Sequence, residues 1–396
     1  MGVKPGYKQT EVGITPEEWR DCDISDLCLL QRGFDLTEAT RKLGDIPVYS
    51  SSGLSYFHNE ARLQPPAVIT GRKGMLGKVF YVEEPCWPHD TTLWVKDFKG
   101  NHPRFVALFL GQFKLERFDA ATSVPTLNRN NVAGIPIKLP PLPEQLAIAT
   151  ALRDVDGLLG GLDRLIAKKR DLKQAAVQQL LTGQTRLPGF YGEWENTHVQ
   201  DVISDFFCGP SPTCEERNIH DDEWGVLKTT AATKEEGWDW TKHKTLPRVF
   251  WNKPHLELKK GDVIVTKAGP RHRVGVAAWV DYVPPRIIVS GKMIGLRPRF
   301  DRVVSLMLAA AVSARDAQVY LDQRTTGMAE SQVNFENAAL LEAPIRIPHF
   351  AEQTAIAKVF TDMDAELLAM EQRRGKTRAL KQAMMQELLT GRTRLV

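Results

Sequence analysis

A segment of 44 residues occurs twice in this chain, and both copies close on the same phrase. The first opens Glu144-Gln145-Leu146-Ala147-Ile148-Ala149 and ends Leu180-Leu181-Thr182-Gly183-Gln184-Thr185-Arg186-Leu187. The second opens Glu352-Gln353-Thr354-Ala355-Ile356-Ala357 and ends Leu388-Leu389-Thr390-Gly391-Arg392-Thr393-Arg394-Leu395. Both ends are offset by 208 residues, so the copies align without a gap, and half of their positions are identical. Internal repetition at this scale constrains the fold more than any local propensity. It implies a molecule of two similar halves, and two halves suggest a target with two parts.

Each copy reads as one long helix. Apolar residues fall at Leu152, Val155, Leu159, Leu162 and Ile166 in the first, and at Ile356, Phe360, Met363, Leu367 and Met370 in the second. The alternating spacing of three and four is that of a coiled-coil seam. The pattern resumes at Leu172 and Leu180, and at Leu380, Met384 and Leu388. Pro140, Pro141 and Pro143 precede the first helix and Pro348 the second, while Gly183 and Gly391 stand where a left-handed C-cap belongs. Gly157, Gly160 and Gly161 weaken the first helix and suggest a bend or the close approach of a neighbour. A helix from Glu144 to Thr182 is roughly 58 Å long at 1.5 Å per residue. No small domain buries such a length, so the copies are expected to pack on each other as an antiparallel rod.

The remaining segments read as mixed α/β. Strand-like runs are Ala67–Thr70 and Val79–Val82 in the first, and Asp262–Thr266 and Val274–Trp279 in the second. Each pair flanks a glycine-containing basic turn, Gly71-Arg72-Lys73-Gly74-Met75-Leu76-Gly77-Lys78 in one and Lys267-Ala268-Gly269-Pro270-Arg271-His272-Arg273 in the other. Both segments begin near a tryptophan (Trp19, Trp194) and end in a proline-flanked aliphatic stretch. The expected fold class is therefore α/β (α+β), in four parts: a first domain over 1–143, a helix over 144–187, a second domain over 188–351 and a helix over 352–396.

With 396 residues, two or three domains are expected. The longest apolar run, Val303–Ala314, is broken by Ser305 and Ser313 and falls short of the roughly 20 residues that span a bilayer. The start Met1-Gly2-Val3-Lys4-Pro5-Gly6 has no apolar leader, which argues against secretion, and Gly6 argues against myristoylation. Five scattered cysteines without a C-x-x-C pair read as reduced, mostly buried thiols in the cytoplasm. A net charge of +4 permits nucleic-acid binding through local patches without demanding it.

The repeated helices, the opening Tyr7-Lys8-Gln9-Thr10-Glu11-Val12-Gly13-Ile14-Thr15-Pro16, the run Val48-Tyr49-Ser50-Ser51-Ser52-Gly53 and the Gly-Arg-Lys-Gly turn together resemble the specificity (S) subunits of type I restriction–modification systems. The likeness covers essentially the full length. It departs at His349-Phe350-Ala351, where the first copy has Pro141-Leu142-Pro143. The resemblance implies two target recognition domains, each reading one half of a split double-stranded DNA site, with the helices as spacer. It implies a chain without catalytic activity that holds two adenine-N6 methyltransferase (M) subunits, in a complex that recruits ATP-driven restriction (R) subunits. S-adenosylmethionine, ATP and Mg are then implied for those partners, and no cofactor for this chain.

The residues themselves show no enzyme site. Gly71 and Gly77 are one residue too far apart for G-x-x-x-x-G-K, and Val79 replaces the magnesium-holding Ser/Thr. No Asn/Asp-Pro-Pro-Tyr/Phe segment is present, Glu257-Leu258-Lys259 lacks a Pro-Asp partner, and the nine histidines show no paired metal spacing. What remains is chemistry suited to DNA. Arg72, Lys73 and Lys78, and Lys267, Arg271, His272 and Arg273, put cationic donors on two tips. Arg reads guanine and Asn or Gln reads adenine in the major groove. Candidate readers are Arg72, Asn128 and Arg129 in the first domain and Arg271, Gln332 and Asn334 in the second, with Asn128 and Asn334 equally readable as turn formers or strand caps. Lys168, Arg170, Lys173 and Gln174 recur as Lys376, Arg378, Lys381 and Gln382. These are the expected methyltransferase docking residues, one subunit per repeat. Two other classes stand beside the specificity subunit: a coiled-coil adaptor without DNA readout, and a fused methyltransferase or nuclease.

Overall fold

The computed structural model describes residues 5–10, 13–119, 124–220, 222–233 and 237–395. Met1 to Lys4, the Glu11-Val12 centre of the opening motif and Val396 lie outside them. The chain divides into two compact units, one of Met1–Leu165 with Met370–Val396 and one of Ile166–Ala369. Each unit contains an α/β domain, the first half of the helix that follows it, and the second half of the other helix.

In the first unit a four-stranded antiparallel sheet carries the core. Its strands are β1 (Leu29–Arg32), β4 (Ala67–Gly71), β5 (Val79–Val82) and β7 (Thr92–Asp97), in the order β1-β7-β4-β5. β4 is buried at every residue, as a run of Val68 and Ile69 between two neighbours requires. Full burial of such side chains contributes about 1.5–3 kcal/mol each. A second sheet orders β3 (Gly53–His58), β2 (Ile46–Ser50) and β6 (Trp87–Pro88), with β2 and β6 parallel. The helix α1 (Pro103–Gln112) presents Phe105, Val106, Phe109 and Leu110 to the core.

The second unit repeats this topology strand for strand. β8 (Ile203–Phe207), β11 (Val263–Thr266), β12 (Ala277–Trp279) and β14 (Met293–Pro298) run in the order β8-β14-β11-β12. β10 (His243–Thr245), β9 (Gly225–Leu227) and β13 (Ile287–Ile288) form the smaller sheet, again with one parallel pair. The expected strand over Val274–Trp279 starts later, because Arg271–Arg273 takes a 3-10 turn before it.

The repeats form the helices α2 (Leu142–Leu180) and α4 (Phe350–Leu388), with the short helix α3 (Ser305–Ser313) between them in sequence. Within the first unit, Ile148, Ala149 and Leu152 of α2 share a core with Leu388 and Leu389. Within the second, Leu180 shares a core with Ile356 and Phe360 of α4. Ion pairs fix the direction. Asp156 meets Lys381 at 2.6 Å and Asp163 meets Arg374 at 3.2 Å in the first unit; Lys169 meets Glu366 at 2.5 Å and Lys173 meets Asp364 in the second. Rising numbers on one helix meet falling numbers on the other, so the paired segments are antiparallel.

Two helix expectations are corrected. Leu172 and Leu380 do not belong to the seam but face solvent, at 49% and 55% exposure. The half-buried seam positions are Lys173 and Lys381, and a leucine one residue before each is turned to the outer face. Gly157 and Gly161 accommodate no neighbour: a Cβ at either would meet open space, and at Gly160 only the tip of Arg164. α2 continues unbroken through all three.

The helix ends follow the sequence signals closely. Gly183 and Gly391 adopt φ of +72° and +73°, the left-handed region open to glycine. Space requires glycine as well, since a Cβ would approach Trp194 at 3.1 Å and Pro16 at 2.7 Å respectively.

Candidate nucleic-acid interface

The phrase shared by both repeats builds a clasp in each unit. Glu144, in the first turn of α2, is wholly buried. Its carboxylate accepts from Arg394 (Nε 3.2 Å, Nη2 3.0 Å) and from the Trp19 indole N–H at 3.0 Å. Arg394 also donates to Glu18 at 2.6 Å, and these carboxylates push its pKa above the ordinary arginine value. In the second unit Glu352, in the first turn of α4, accepts a two-pronged pair from Arg186 at 2.5 Å on both prongs, while Arg186 Nη1 donates to the Gly192 carbonyl. A helix start favours the carboxylate, and the fork of arginine matches its two oxygens. The neighbouring glutamines act alike. Gln145 accepts from the His102 N–H and donates to the Pro140 carbonyl; Gln353 accepts from the Val304 N–H and donates to the Pro348 carbonyl. Thus the start of each repeat is tied to the end of the other and to the domain before it.

The basic turns occupy equivalent tips. In the first unit the turn from β4 to β5 starts at Gly71, where any Cβ would sit 1.9 Å from the Met75 carbonyl oxygen. Arg72 and Lys73 donate their N–H groups to the Thr91 carbonyl at 2.8 and 3.0 Å, and Leu127 donates to the Arg72 carbonyl at 2.8 Å. The Ser51 N–H reaches the Thr91 hydroxyl at 3.3 Å. One surface thereby gathers Arg72, Lys73, Asn128, Arg129 and the Ser50–Ser52 turn. Arg72 is half-buried and donates to the Asp90 carbonyl at 2.9 Å. Lys73, Lys78 and Arg129 are exposed and make no side-chain ion pair among the described residues. Asn128 is exposed and is the N-cap of the short helix Arg129–Ala133, accepting from the Asn130 N–H at 3.0 Å.

In the second unit Lys267 and Ala268 donate to the Lys292 carbonyl (2.9 and 3.2 Å), and Phe335 donates to the Lys267 carbonyl at 3.2 Å. Ala268 and Gly269 pair as a strand with Asn334 and Val333. Lys267, Arg271, His272, Arg273, Gln332 and Asn334 therefore share one tip, with His272, Gln332 and Asn334 exposed. Two cations are not free to reach out. Lys267 Nζ donates to Asn337 Oδ1 at 2.9 Å. Arg271 is held by Glu330 at 3.0 Å and by Asp322 at 2.5 Å, which raises its pKa further.

On the helices, Lys168, Arg170 and Gln174, and their counterparts Lys376, Arg378 and Gln382, are exposed. Lys173 and Lys381 are instead half-buried in the interhelical ion pairs with Asp364 and Asp156. Sequence reasoning missed both clasps and the serine turn. The signal for the clasps was present, since the two most identical stretches of the repeat are its two ends. Among the described residues, no group of His, Cys, Asp or Glu could hold a metal ion, and no helix is long and apolar enough to cross a membrane.

Residues 16–166 match the family model for the type I restriction modification DNA specificity domain. The type I restriction enzyme EcoEI specificity subunit of Escherichia coli is 34% identical over 170 residues, 43% of this chain and 28% of that protein. Over these residues the chain resembles type I specificity subunits, and it spans less than a third of the length of that relative. The putative type I restriction enzyme MjaX specificity subunit of Methanocaldococcus jannaschii is 21% identical, covering 98% of this chain and 97% of its own. The fold is shared with the HsdS subunit from Thermoanaerobacter tengcongensis (TM-score 0.54, 17% identity, 95% and 98% coverage) and with the S subunit from M. genitalium (TM-score 0.52, 14% identity, 98% of each chain). The chain therefore carries the sequence signature of that domain over residues 16–166 and shares the fold of these solved S subunits over nearly its whole length.

Proposed function

We propose that this chain is a type I specificity subunit that reads a bipartite double-stranded DNA target, one half-site per unit, and docks two adenine-N6 methyltransferase subunits. The observation that carries this reading is the twofold repetition of one tip: the same strand turn, braced by the same two neighbouring segments, ends both domains in cationic and amide side chains. Cations on such tips bind phosphates, and amides and guanidinium groups read base edges. The recognition domains are 1–143 and 188–351, and the helices 144–187 and 352–396 set a fixed gap. Lys168, Arg170, Gln174 and the matching Lys376, Arg378 and Gln382 offer each methyltransferase the same exposed surface. Catalysis then belongs to the partners, with S-adenosylmethionine for methylation and ATP and Mg for restriction subunits, in the cytoplasm.

Expression with the neighbouring methyltransferase in a methylation-free host, followed by base-resolution mapping of methyladenine, tests the reading. The expected result is a split motif methylated on both strands and lost when this chain is omitted. Methyl transfer by the purified chain alone would favour a fused enzyme. Absence of any chain-dependent motif, with a partner that is active elsewhere, would favour a coiled-coil adaptor. Removing one heptad from each helix is expected to change the gap by about three base pairs and leave both half-sites intact, from 1.5 Å per residue and 3.4 Å per base pair.

A further inference from the structure

The hairpin beside the tip differs between the units. In the first, β2 and β3 are joined by Ser51-Ser52 alone; in the second, the equivalent strands β9 and β10 are separated by the longer stretch 228–242. Beside the start of this stretch lies a groove of about 520 Å3, whose lining includes Lys228, Lys244, Lys292, Thr229, Thr230 and Ser290. The groove is continuous with the basic tip, because the Lys292 carbonyl accepts the N–H groups of Lys267 and Ala268.

One anion already lies in it. Glu216 meets Lys228 at 3.1 Å and also pairs with Lys244, and the two ammonium groups, Lys244 first, hold its carboxyl below the usual carboxylate range. Glu216 is 66% exposed, whereas the two lysines are about one-third exposed. The lysines are thus set in the wall and the carboxylate is the more exposed member. Lys292 is exposed and makes no side-chain ion pair among the described residues. Three ammonium groups against one carboxylate leave the groove cationic, and the hydroxyls of Ser211, Thr229, Thr230 and Ser290 supply further donors. That donor set suits a phosphodiester, which needs several hydrogen bonds around one delocalised charge.

We infer that this groove is a DNA-backbone site, occupied in the free protein by Glu216 as a stand-in for phosphate. The inference rests on the DNA-reading function proposed above. Exposed carboxylate–lysine pairs are weak and salt-screened, so a polyanion displaces the glutamate readily. The glutamate lowers the affinity of this unit for any DNA and leaves discrimination to the neighbouring tip.

The test uses the complex of full chain and methyltransferase, with fluorescence anisotropy on a random duplex and on the mapped target over a salt series. Glu216→Gln is expected to tighten random-duplex binding about threefold and to steepen the salt slope by about one unit, since each phosphate contact contributes roughly −0.9. Lys228→Met with Lys244→Met, which keeps the aliphatic stems, is expected to flatten the slope by about one to two units on both duplexes. A wild-type complex that binds no duplex would remove the DNA reading itself. Normal wild-type binding with an unchanged slope in the lysine double variant would overturn the groove as a backbone site. Unchanged random-duplex affinity in Glu216→Gln would overturn the role given to the glutamate.

Discussion

Arg186→Ala is expected to weaken the second unit more than Arg394→Ala weakens the first. Deleting one partner of a buried ion pair costs about 3–5 kcal/mol, because the other charge is left without compensation. Glu352 is 1% exposed, but the Arg186 side chain keeps 25% of its surface in solvent, which lowers the expectation to roughly 2–4 kcal/mol. Among the described residues Glu352 has no other side-chain donor, for Trp194 Nε1 makes no hydrogen bond at all. Glu144 by contrast retains the Trp19 indole at 3.0 Å when Arg394 is removed. A hydrogen bond to a charged group is worth about 1.5–3 kcal/mol, so Arg394→Ala should cost about 1–2 kcal/mol less than its counterpart. Urea unfolding gives the total. Hydrogen exchange in 183–194 and 350–356, against 388–395 and 142–148, assigns the loss to its unit. Glu352→Gln added to Arg186→Ala should recover much of the loss, since the buried charge goes with it. Equal losses at both clasps, or a loss below about 0.5 kcal/mol at Arg186, would refute the reasoning.

Gly183→Ala and Gly391→Ala should each destabilise by about 1–3 kcal/mol, with Gly391 the worse because Pro16 blocks its Cβ; paired urea melts measure the difference. Burial pushes the Cys28 and Cys86 thiols up to about 12, so in the native state at pH 8 both should resist a thiol reagent that labels them after unfolding. Raised thiol pKa values carry stability that is complete below the ordinary thiol range and declines as pH climbs toward 12, so the urea midpoint should fall over that alkaline window. Reversing charge at Lys168 and Lys376 together should lower methyltransferase stoichiometry below two per chain, read by light scattering; retention of two would count against docking there. Reversal at Lys173 and Lys381 would not test docking cleanly, because it also breaks the pairs with Asp364 and Asp156.

Local signals were legible wherever the physics was local. The runs of β-branched residues at Val68-Ile69 and Val263-Ile264-Val265 became central strands, and glycine after Leu-Leu-Thr became the left-handed cap of both helices. Heptad spacing identified the seam through Leu152, Leu162, Ile166, Ile356 and Phe360. It failed at Leu172 and Leu380, because the seam continues in register through the half-buried Lys173 and Lys381, one residue on, and the apolar type of the two leucines drew the reading off that register. What stayed hidden was pairing at long sequence separation. Arg271 reads as a free cation until Asp322 and Glu330 are brought to it, and Asn128 reads as a base contact until Arg129–Ala133 folds into a helix behind it. The tip as a place was legible; the availability of each side chain was not.

The two repeats also divide into positions that pairing explains and positions that it does not. An antiparallel pair of repeats offset by 208 residues can make an interhelical contact twice, with roles exchanged, wherever both partners recur; Asp163–Arg374 and Lys169–Glu366 have no twin because Ile166 and Leu158 stand at the matching positions. The pair Lys173–Asp364 therefore has a twin, Lys381–Asp156, and Glu352–Arg186 has Glu144–Arg394. Identity at these eight positions follows from the geometry alone and says nothing about partners. Lys168 and Gln174, with Lys376 and Gln382, are equally identical but exposed, and interhelical ion pairing does not account for them. An external surface that must be the same on both repeats does account for them, and a partner present in two copies demands such a surface. The clasps thus sharpen the docking proposal by removing from it the lysines that the fold already uses.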